Sequence, residues 1–492
     1  MRVAMLLHKS VEFDSRVRRE ASALARAGHE VTVLELARVP VGARQDDGTV
    51  RPTRLDGFER RSVLPPAWLR RHLPFHLYRA AFLWSFVNGI KRVRPEIVHA
   101  HDAAMLLPGL IGARLMGARL VYDSHELATS VPYRERAWAM FVEAIERLVV
   151  SRCAAVITVS DGIAERLRER YRLPVMPCVV RNVSALSAGE RPTGHAGLRE
   201  RLGVTPDTPL VLHQGAPAAA RGCEVLIEAV ATLPGVQLAF LGDPEPGYGA
   251  VLQARIDKLG LQGRVRMLPS VPLENLLAHT AEADVGVTLL QDTCLNHRLA
   301  LPNKLFEYIA AEVPVVAAAL PETQRLVESY GVGWCARPDD PAAVAGALRV
   351  ALQGRPDPGL RERLQRAADE LCWEREQLRL VELYGRLSGA GMRQASALGA
   401  HEHKAVGAQE GQAREWFVPP PGAPGESWQK SDRLDLQIPS QRCADLAQAN
   451  QASVGVGGPD AGLPDRDGTA GSKHAPHLQQ SPPDLLVPAD GG

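Results

Sequence analysis

The sequence predicts an α/β protein made of two consecutive units, each a doubly wound parallel sheet with helices on both faces. Short apolar runs alternate with amphipathic segments along residues 1–185, and the same alternation resumes along residues 186–371. This alternation indicates parallel strands joined by crossover helices. A third observation is a stretch of small, turn-forming residues at 184–198, which is typical of an interdomain linker.

The elements of the first unit follow from the positions of its apolar runs. We expect strands at Val3–Leu7, Val31–Leu36, Leu120–Tyr122 and Ala155–Val159, and helices at Val17–Ala27 and Leu106–Met116. Gly28 follows the first helix, where glycine is the usual terminating residue. Residues 1–185 therefore read as an N-terminal Rossmann-like domain.

The second unit repeats this pattern over residues 186–371, a C-terminal Rossmann-like domain. Its predicted strands are Leu210–His213, Gln237–Leu241, Val265–Leu268, Val285–Leu289 and Val313–Ala317. Its predicted helices are Glu224–Thr232, Tyr248–Leu259 and Pro302–Ala311. The carboxyl ends of such strands are where open α/β sheets bind ligands.

One amphipathic helix and a long tail complete the chain. Over residues 372–388 apolar side chains recur at helical spacing, at Trp373, Leu380, Leu383, Tyr384 and Leu387. We expect this helix to dock on a domain. Residues 389–492 are rich in Gly, Pro, Ser, Gln and Asp, and such a segment buries too little apolar surface to offset its ordering entropy. We therefore expect a disordered tail.

Composition narrows the classes of function. The 492 residues carry 57 Lys and Arg against 56 Asp and Glu, a formal net charge of +1, so no global field attracts nucleic acid. The seven cysteines lack CxxC or Cys/His metal spacing, which fits a cytosolic protein with reduced thiols. The N-terminal apolar run is too short for a signal peptide, and no run reaches the roughly 18 residues of a membrane span. We expect a cytoplasmic location.

Residues 299–319 read as a loop, a short helix and a buried strand with charged groups at the helix start. Pro302 suits the first helical position, so the N–H groups of Asn303 and Lys304 would point out of the helix N-terminus toward an anion. Lys304 adds a full positive charge there. Glu307, one turn further on, is an acceptor placed to hold two sugar hydroxyls. A capped helix that merely packs on a strand is the alternative.

A second candidate lies after the strand that begins at Leu210. Gly215 opens a loop of small residues that leads to Arg221 and Gly222, which places a guanidinium beside a flexible loop. A bidentate arginine suits phosphate oxygens, although a solvent-exposed arginine at a helix start is the simpler interpretation. Gly242 ends the next strand in another glycine loop, which favours a nucleotide-sized crevice. No GxGxxG or Walker motif is present, which disfavours NAD or ATP-hydrolysis chemistry.

Polar side chains also end two strands of the first unit, in the segments 97–102 and 121–126. They are His99, His101, Asp102, His125 and Glu126, and both segments would lie on the rim of the interdomain cleft. A metal is conceivable, but HxH is a weak signal and the ligands are dispersed, so we expect none. For His99 we favour a structural role in fixing a turn.

Residues 66–94 mix Trp, Phe and Tyr with Arg, His and Lys. This segment could lie on an anionic membrane face, or it could be a core-packed helix with a basic rim. Both interpretations stay open at this point.

Residues 1–388 resemble the retaining glycosyltransferases of the GT-B fold, in the group 1 or family 4 type that includes mannosyl- and glucosyltransferases of polysaccharide and glycolipid assembly. The segments that carry the resemblance are Pro302–Tyr308 with Pro314-Val-Val, Arg221-Gly222 after Gly215, Val156–Asp161 and Asp123–Glu126. The resemblance implies two domains that face each other across a cleft, with a metal-independent reaction.

The resemblance also implies roles for individual residues. Glu307 would hold the donor ribose, Arg221 would neutralise the leaving diphosphate, and His125 would line the sugar and acceptor side. Asn303 and Lys304 would contact phosphates or sugar, with a nucleotide sugar as donor and a glycan or lipid-linked molecule as acceptor. The helix at 373–387 would cross back onto the first domain.

The chain departs from the family pattern at three places. Leu299 stands where the family commonly has a first Glu that touches the donor sugar, and Ala216 stands where a second basic residue is usual. The first loop carries His8–Val17 where many relatives have a Gly pair.

These features predict transfer of a sugar to an acceptor hydroxyl on the face from which the diphosphate leaves. Arg221, Lys304 and the helix dipole would stabilise the growing charge of the leaving group. Two alternatives remain: a nucleotide-sugar epimerase or hydrolase on the same fold, and a binding protein that has lost turnover.

Overall fold

The chain was analysed as a computed structural model that describes residues 1–36, 53–63, 75–130, 136–184, 197–353 and 358–388. The predicted tail and almost all of the predicted linker lie outside these residues. The described part contains two parallel-sheet α/β domains, as the sequence predicts.

The first domain is built on an eight-stranded sheet with the order β3-β4-β2-β1-β5-β6-β7-β8. Its strands are β1 Arg2–Leu7, β2 Glu30–Glu35, β3 Thr53–Leu55, β4 Phe58–Ser62, β5 Ile97–His101, β6 Arg119–Ser124, β7 Ala155–Thr158 and β8 Cys178–Val179. All neighbouring pairs are parallel except the hairpin of β3 and β4. The central strand β1 is buried from Val3 to Leu7 because helices cover both faces.

Among the described residues of this domain, five α-helices accompany the sheet: α1 Ser15–Arg26, α2 Phe75–Val93, α3 Leu106–Met116, α4 Arg136–Val149 and α5 Asp161–Tyr171. Helix α1 begins at a true N-cap, because the Asp14 carboxylate accepts a hydrogen bond from the Val17 N–H at 3.0 Å. Its last residue is Arg26 and its C-cap is Ala27. Gly28, which the sequence predicts to terminate the helix, follows with φ +87°. Helix α2 packs through Phe86 and Ile90 into the core of the domain.

The second domain carries a six-stranded, entirely parallel sheet in the order β11-β10-β9-β12-β13-β14. Its strands are β9 Leu210–Gln214, β10 Gln237–Leu241, β11 Val265–Leu268, β12 Val285–Thr288, β13 Val315–Ala318 and β14 Gly333–Ala336. Its helices are α6 Leu198–Leu202, α7 Cys223–Ala231, α8 Tyr248–Lys258, α9 Leu273–Thr280, α10 Leu295–Leu299, α11 Asn303–Ala310, α12 Pro321–Tyr330, α13 Pro341–Gln353 and α14 Pro358–Glu370.

The last helix, α15 Trp373–Leu387, packs on the first domain. The Arg19 guanidinium of α1 lies 5.6 Å from the centre of the Trp373 ring, and Glu376 pairs with Arg181 at 3.0 Å. The Tyr384 hydroxyl lies 2.9 Å from Nδ1 of His99 on β5. The apolar stripe that the sequence reveals is therefore buried against helix α1 and strand β8.

Two expectations need correction. Helix α11 begins at Asn303, and Pro302 is its N-cap with extended backbone (ψ 135°), so the proline does not occupy the first helical position. The strand expected at Val313–Ala317 runs from Val315 to Ala318, because Val313 and Pro314 still belong to the turn after α11, where Val313 N–H bonds to the Tyr308 carbonyl.

Candidate functional site

Two glycine loops of the second domain lie against each other at the carboxyl ends of β9 and β10. Gly215 has φ +80° and Gly242 has φ +148°, conformations that favour glycine. A Cβ on Gly242 would lie 2.6 Å from the carbonyl carbon of Gly215, so no side chain fits between the loops. Glycine at 242 therefore allows the Gly215 loop to pack directly against the backbone at the carboxyl end of β10.

Arg221 and Lys304 meet at this loop. A Cβ built on Gly215 would lie 3.6 Å from Nη1 of Arg221 and 3.6 Å from Nζ of Lys304. Arg221 Nη1 also donates to the Ala216 carbonyl at 2.8 Å, which holds the guanidinium across the loop. Two residues 83 positions apart in the chain thus place their cationic groups on the same side of one glycine.

Gly222 positions Arg221 by turning the chain at the start of α7. It has φ +65°, and a Cβ there would lie 2.6 Å from Nε2 of Gln291 and 2.7 Å from the Leu289 carbonyl oxygen. Gln291 closes this contact, because its side chain donates to the carbonyls of Leu289 and Pro338. The turn is consequently fixed from the loop that follows β12.

Lys304 and Arg221 repel each other electrostatically. Burial, followed by repulsion from Arg221, lowers the pKa of Lys304 to about 7. His213, buried beneath the loop, has its pKa held well below the usual range by burial and by the same two cations. Two cationic groups at one glycine loop are an arrangement that commonly binds anions.

Glu307 and Asn303 complete the helix at this site. Asn303 is the first residue of α11, whose opening N–H groups have no carbonyl partner within the helix. The Glu307 carboxylate accepts a hydrogen bond from the Gln214 side chain. Burial raises the pKa of Glu307, and the hydrogen bond from Gln214 and the positive charge of Lys304 oppose that rise.

Gln214 is itself held from two sides. Its side-chain oxygen accepts from the Thr280 hydroxyl at 2.7 Å, and its backbone N–H donates to the Tyr308 hydroxyl at 3.0 Å. Tyr308 lies in the sheet core and donates to the Leu212 carbonyl at 3.0 Å. Residue 286 must be glycine, because a Cβ there would overlap the Tyr308 ring. Glu307 is therefore presented on a fixed framework.

His125 lies in the first domain, directly after β6, between two carboxylates. Its Nε2 is 3.1 Å from Asp123 and its Nδ1 is 3.5 Å from Asp102. Burial alone would lower its pKa, but Asp102 and Asp123 raise the pKa to about 10. Asp102 adopts φ +62°, a strained conformation for a residue with a side chain, and strain of this kind is concentrated at functional sites.

A buried charge network lies beneath His125. Arg16 of α1 holds Asp123 through two hydrogen bonds of 3.0 and 2.9 Å, and its Nε is 3.0 Å from Glu20. Burial, opposed by Arg16, raises the pKa of Glu20. Four groups of metal-ligating type, Glu20, His99, His101 and Asp123, have their candidate ligand atoms within 4.8 Å of one another. Arg16 already supplies positive charge to both carboxylates of that group.

The structure thus gathers the predicted residues in two places. Gly215, Gly222, Gly242, Arg221, Lys304 and Glu307 lie around one loop of the second domain, with Asn303 at the start of the same helix as Lys304. His125 lies in the first domain. The sequence did not single out Gln214, Gln291 or Arg16, because each acts through a partner far away in the chain, and it included Tyr308 only as the end of the motif 302–308.

Comparison with known families decides the assignment. A model described as Glycosyltransferase Family 4 matches residues 15–182, and one described as Glycosyl transferases group 1 matches residues 197–371. The chain is a group 1 glycosyltransferase with the GT-B fold. Within the described residues of this glycosyltransferase, no helix combines the length and apolarity that a bilayer span requires.

Relatives and solved structures agree with this family. An α-D-kanosaminyltransferase of Streptomyces kanamyceticus is 28% identical over 366 residues, covering 68% of this chain and 84% of the relative. A D-inositol 3-phosphate glycosyltransferase of Xylanimonas cellulosilytica is 31% identical over 206 residues, covering 39% of this chain and 46% of the relative. The structure of Anabaena HepE in complex with UDP shares the fold, with a TM-score of 0.61, 16% identity, and coverage of 78% of this chain and 100% of that one.

Proposed function

We propose that this glycosyltransferase moves a sugar from a nucleotide-diphosphate donor to an acceptor hydroxyl with retention of anomeric configuration, in polysaccharide, glycolipid or surface-glycan assembly. The observation that carries the proposal is the meeting of Arg221 and Lys304 at Gly215. A pyrophosphate placed against this loop would bind both cations. Structures of Anabaena HepE with UDP and with UDP-glucose, which share the fold, support a donor of this class.

The charges of the site fit a mechanism without a protein nucleophile. The bond between the anomeric carbon and the diphosphate oxygen breaks, while Arg221, Lys304 and the start of α11 stabilise the departing negative charge. The acceptor oxygen attacks on the same face and its proton passes to a phosphate oxygen. His125, with its pKa raised to about 10, is cationic at neutral pH and so serves as a hydrogen-bond donor, since a protonated imidazole takes no further proton.

Calorimetry with UDP, GDP, TDP and ADP tests donor binding directly. We expect at least one nucleoside diphosphate to bind wild-type protein, and loss of Arg221 to weaken that binding. Failure of the whole panel and of the matching sugar nucleotides would overturn the proposal. NMR of the transfer product then reads the anomeric configuration, and an inverted product would refute retention.

Incubation with the donor alone separates the enzymatic alternatives. A transferase releases sugar to water slowly, whereas an epimerase interconverts the donor sugar without any acceptor. A protein that binds nucleotide but transfers sugar to no acceptor would match the non-catalytic alternative.

A lipid-linked acceptor at a membrane surface forms part of the proposal. Trp84 on α2 is 64% exposed and Met140 on α4 is 71% exposed, and both helices pack against α3. The exposed Lys91 and Arg92 end helix α2. Exposed apolar and basic side chains on one group of helices suit an anionic bilayer. We expect sedimentation with phosphatidylglycerol vesicles, and loss of it in a W84A/M140A variant; equal sedimentation of both proteins would refute the surface.

A further inference from the structure

The short helix α10 of the second domain contacts the loop that carries His125. Asn296 on this helix is 7% exposed. Its side-chain oxygen accepts a hydrogen bond from the Leu127 N–H at 2.8 Å, and its side-chain nitrogen lies 3.5 Å from the Glu126 carboxylate. One buried amide of the second domain therefore satisfies a backbone N–H only two residues beyond His125.

Leu299, three residues later on the same helix, makes a second contact with the first domain. Its carbonyl accepts from the Ser160 hydroxyl at 2.6 Å, and that hydroxyl also caps α5 by accepting from the Ile163 N–H at 3.3 Å. A Cβ on Gly162 would lie 2.9 Å from Cδ2 of Leu299, so the leucine side chain lies directly on the backbone of α5. A nearby surface ion pair joins Asp161 to Arg325 of the second domain at 3.1 Å.

This placement explains the departure of Leu299 from the family pattern. An acidic residue at 299 would bring a second carboxylate next to that of Glu322, whose Oε1 lies 2.8 Å from a Cβ built on Gly162, and two like charges at a buried position repel each other. Leucine instead packs with the apolar core of the first domain. The position thus contributes to the contact between domains.

Chain connectivity ties both ends of this contact to the reaction site. On one side, Leu299 is separated from Asn303 and Lys304 by residues 300–302 alone. On the other side, Glu126 and Leu127 follow His125 without a break. A shift of α10 would therefore be passed to Lys304 through residues 300–302 and to the His125 loop through Asn296.

We infer that α10 is an interdomain clasp, in which Asn296 positions the His125 loop against the donor for transfer to the acceptor. This inference rests on the proposed glycosyl transfer. Asn296 is a positioning residue: it touches the loop that bears His125, and it acts on the reacting groups through that loop. The clasp favours capture of the sugar by the acceptor over capture by water, because it fixes the acceptor side of the site.

The test compares N296A, N296D and the control R298A. Arg298 lies on the same helix but is exposed and pairs with Asp292 on the surface, so its removal leaves the clasp intact. Each variant is assayed for nucleoside diphosphate affinity by calorimetry, for acceptor KM and kcat, and for the ratio of donor hydrolysis to transfer. Thermal unfolding checks that each variant folds.

For N296A we expect unchanged nucleotide affinity, a transfer efficiency lowered about tenfold through the acceptor KM, and an increased hydrolysis-to-transfer ratio, since the Leu127 N–H loses its buried partner. N296D keeps an acceptor for that N–H but places a carboxylate beside Glu126, so we expect an intermediate loss. R298A should behave as wild type.

Replacing Leu299 with Glu adds an independent arm. We expect L299E to bind nucleotide normally and to lose transfer, because the new carboxylate lies at the domain contact. Wild-type transfer in N296A, or transfer raised by L299E, would overturn the clasp. If wild-type protein binds no nucleotide, the proposed function fails instead, so the two failures are distinguishable.

Discussion

The two parts of the site differ in the charges that surround their titratable groups. Around Gly215, burial and then repulsion from Arg221 lower the pKa of Lys304 to about 7. Around His125, carboxylates surround the imidazole and raise its pKa to about 10. The second domain therefore brings two cationic groups together, whereas in the first domain a cationic imidazole lies between carboxylates.

Under the proposed function, this difference indicates which side of the site binds the diphosphate of the donor. A charged ligand contributes most where the protein has left repulsion unrelieved, which is the Gly215 loop. The His125 cluster already has its charges paired through Asp123 and Arg16. It suits neutral hydroxyl groups, which need directed hydrogen bonds but bring no charge. The comparison predicts a large loss of activity when positive charge is removed at the Gly215 loop, and smaller losses elsewhere.

Substitution of Arg221 with Ala should have the largest effect. The guanidinium is one of two cations that face the diphosphate, so its removal should lower kcat about 100- to 1,000-fold, as for other preorganised charge-stabilising groups. Steady-state kinetics with donor and acceptor measures this. The control R221K retains the positive charge but loses the planar guanidinium. Its kcat should lie between those of the wild type and R221A. Near-normal turnover of R221A would remove Arg221 from the reaction.

Substitution of His125 with Asn should lower kcat/KM about 10- to 100-fold, a smaller loss because no full charge is being formed on that side. Because the pKa of His125 is raised to about 10, the wild-type rate should show no titration of this residue between pH 6 and 9. The variant D102N removes one counterion and should move that titration toward neutral pH. An ionisation near pH 6.5 in the wild-type profile, absent in H125N, would contradict a cationic His125.

Lys304 provides a third test, with a smaller expected effect: the uptake of a proton when the nucleoside diphosphate binds. Its pKa of about 7 in the free protein should rise when the diphosphate binds, because the ligand favours the charged amine. At pH 8 the free amine is mostly neutral, so binding should take up nearly one proton; at pH 6 the amine is already charged and uptake should vanish. Nucleotide affinity should fall as pH rises above 7, by at most about tenfold per pH unit.

Calorimetry in two buffers of different ionisation enthalpy measures this uptake. The control K304M should bind more weakly and without the proton uptake at pH 8. Equal heats in both buffers at pH 8 for wild-type protein would show that Lys304 is charged before the ligand arrives.

The sequence predicted what depends on local pattern. Most strands lie within one or two residues of their expected positions, since buried parallel strands read as apolar runs bounded by turns. Arg221 and Lys304 could be placed together in advance because each lies near the start of a helix in the segment that follows a parallel strand, and the carboxyl ends of such strands share one edge of the sheet. Whether these residues bind the donor stays a prediction.

The elements that sequence reasoning missed have weak local signals. Strand Thr53–Leu55 is mostly exposed, and Phe58–Ser62 is half-buried with Phe58 as its one buried residue and three charged residues. Strand Gly333–Ala336 begins with glycine and is half-buried except at Ala336. The contacts that hold the site residues in place could not be predicted from the sequence for another reason. Arg16 and Asp123 are 107 residues apart, and Gln214 and Glu307 are 93 apart, so only the folded chain brings them together.

The smallest expected effect is that of removing or adding a divalent metal. It tests whether Arg16 already balances the negative charges of the cluster beneath His125. The cluster of Glu20, His99, His101 and Asp123 has the residue types of a metal site. However, the Arg16 guanidinium lies 3.0 Å from Glu20 and 2.9 Å from Asp123, and a divalent cation there would repel it. Dialysis against EDTA should therefore leave transfer unchanged, and added Zn²⁺ or Mn²⁺ should not raise it. Loss of transfer on dialysis, with recovery on adding one of these metals, would show that a cation belongs to the cluster and that Arg16 is not its only positive charge.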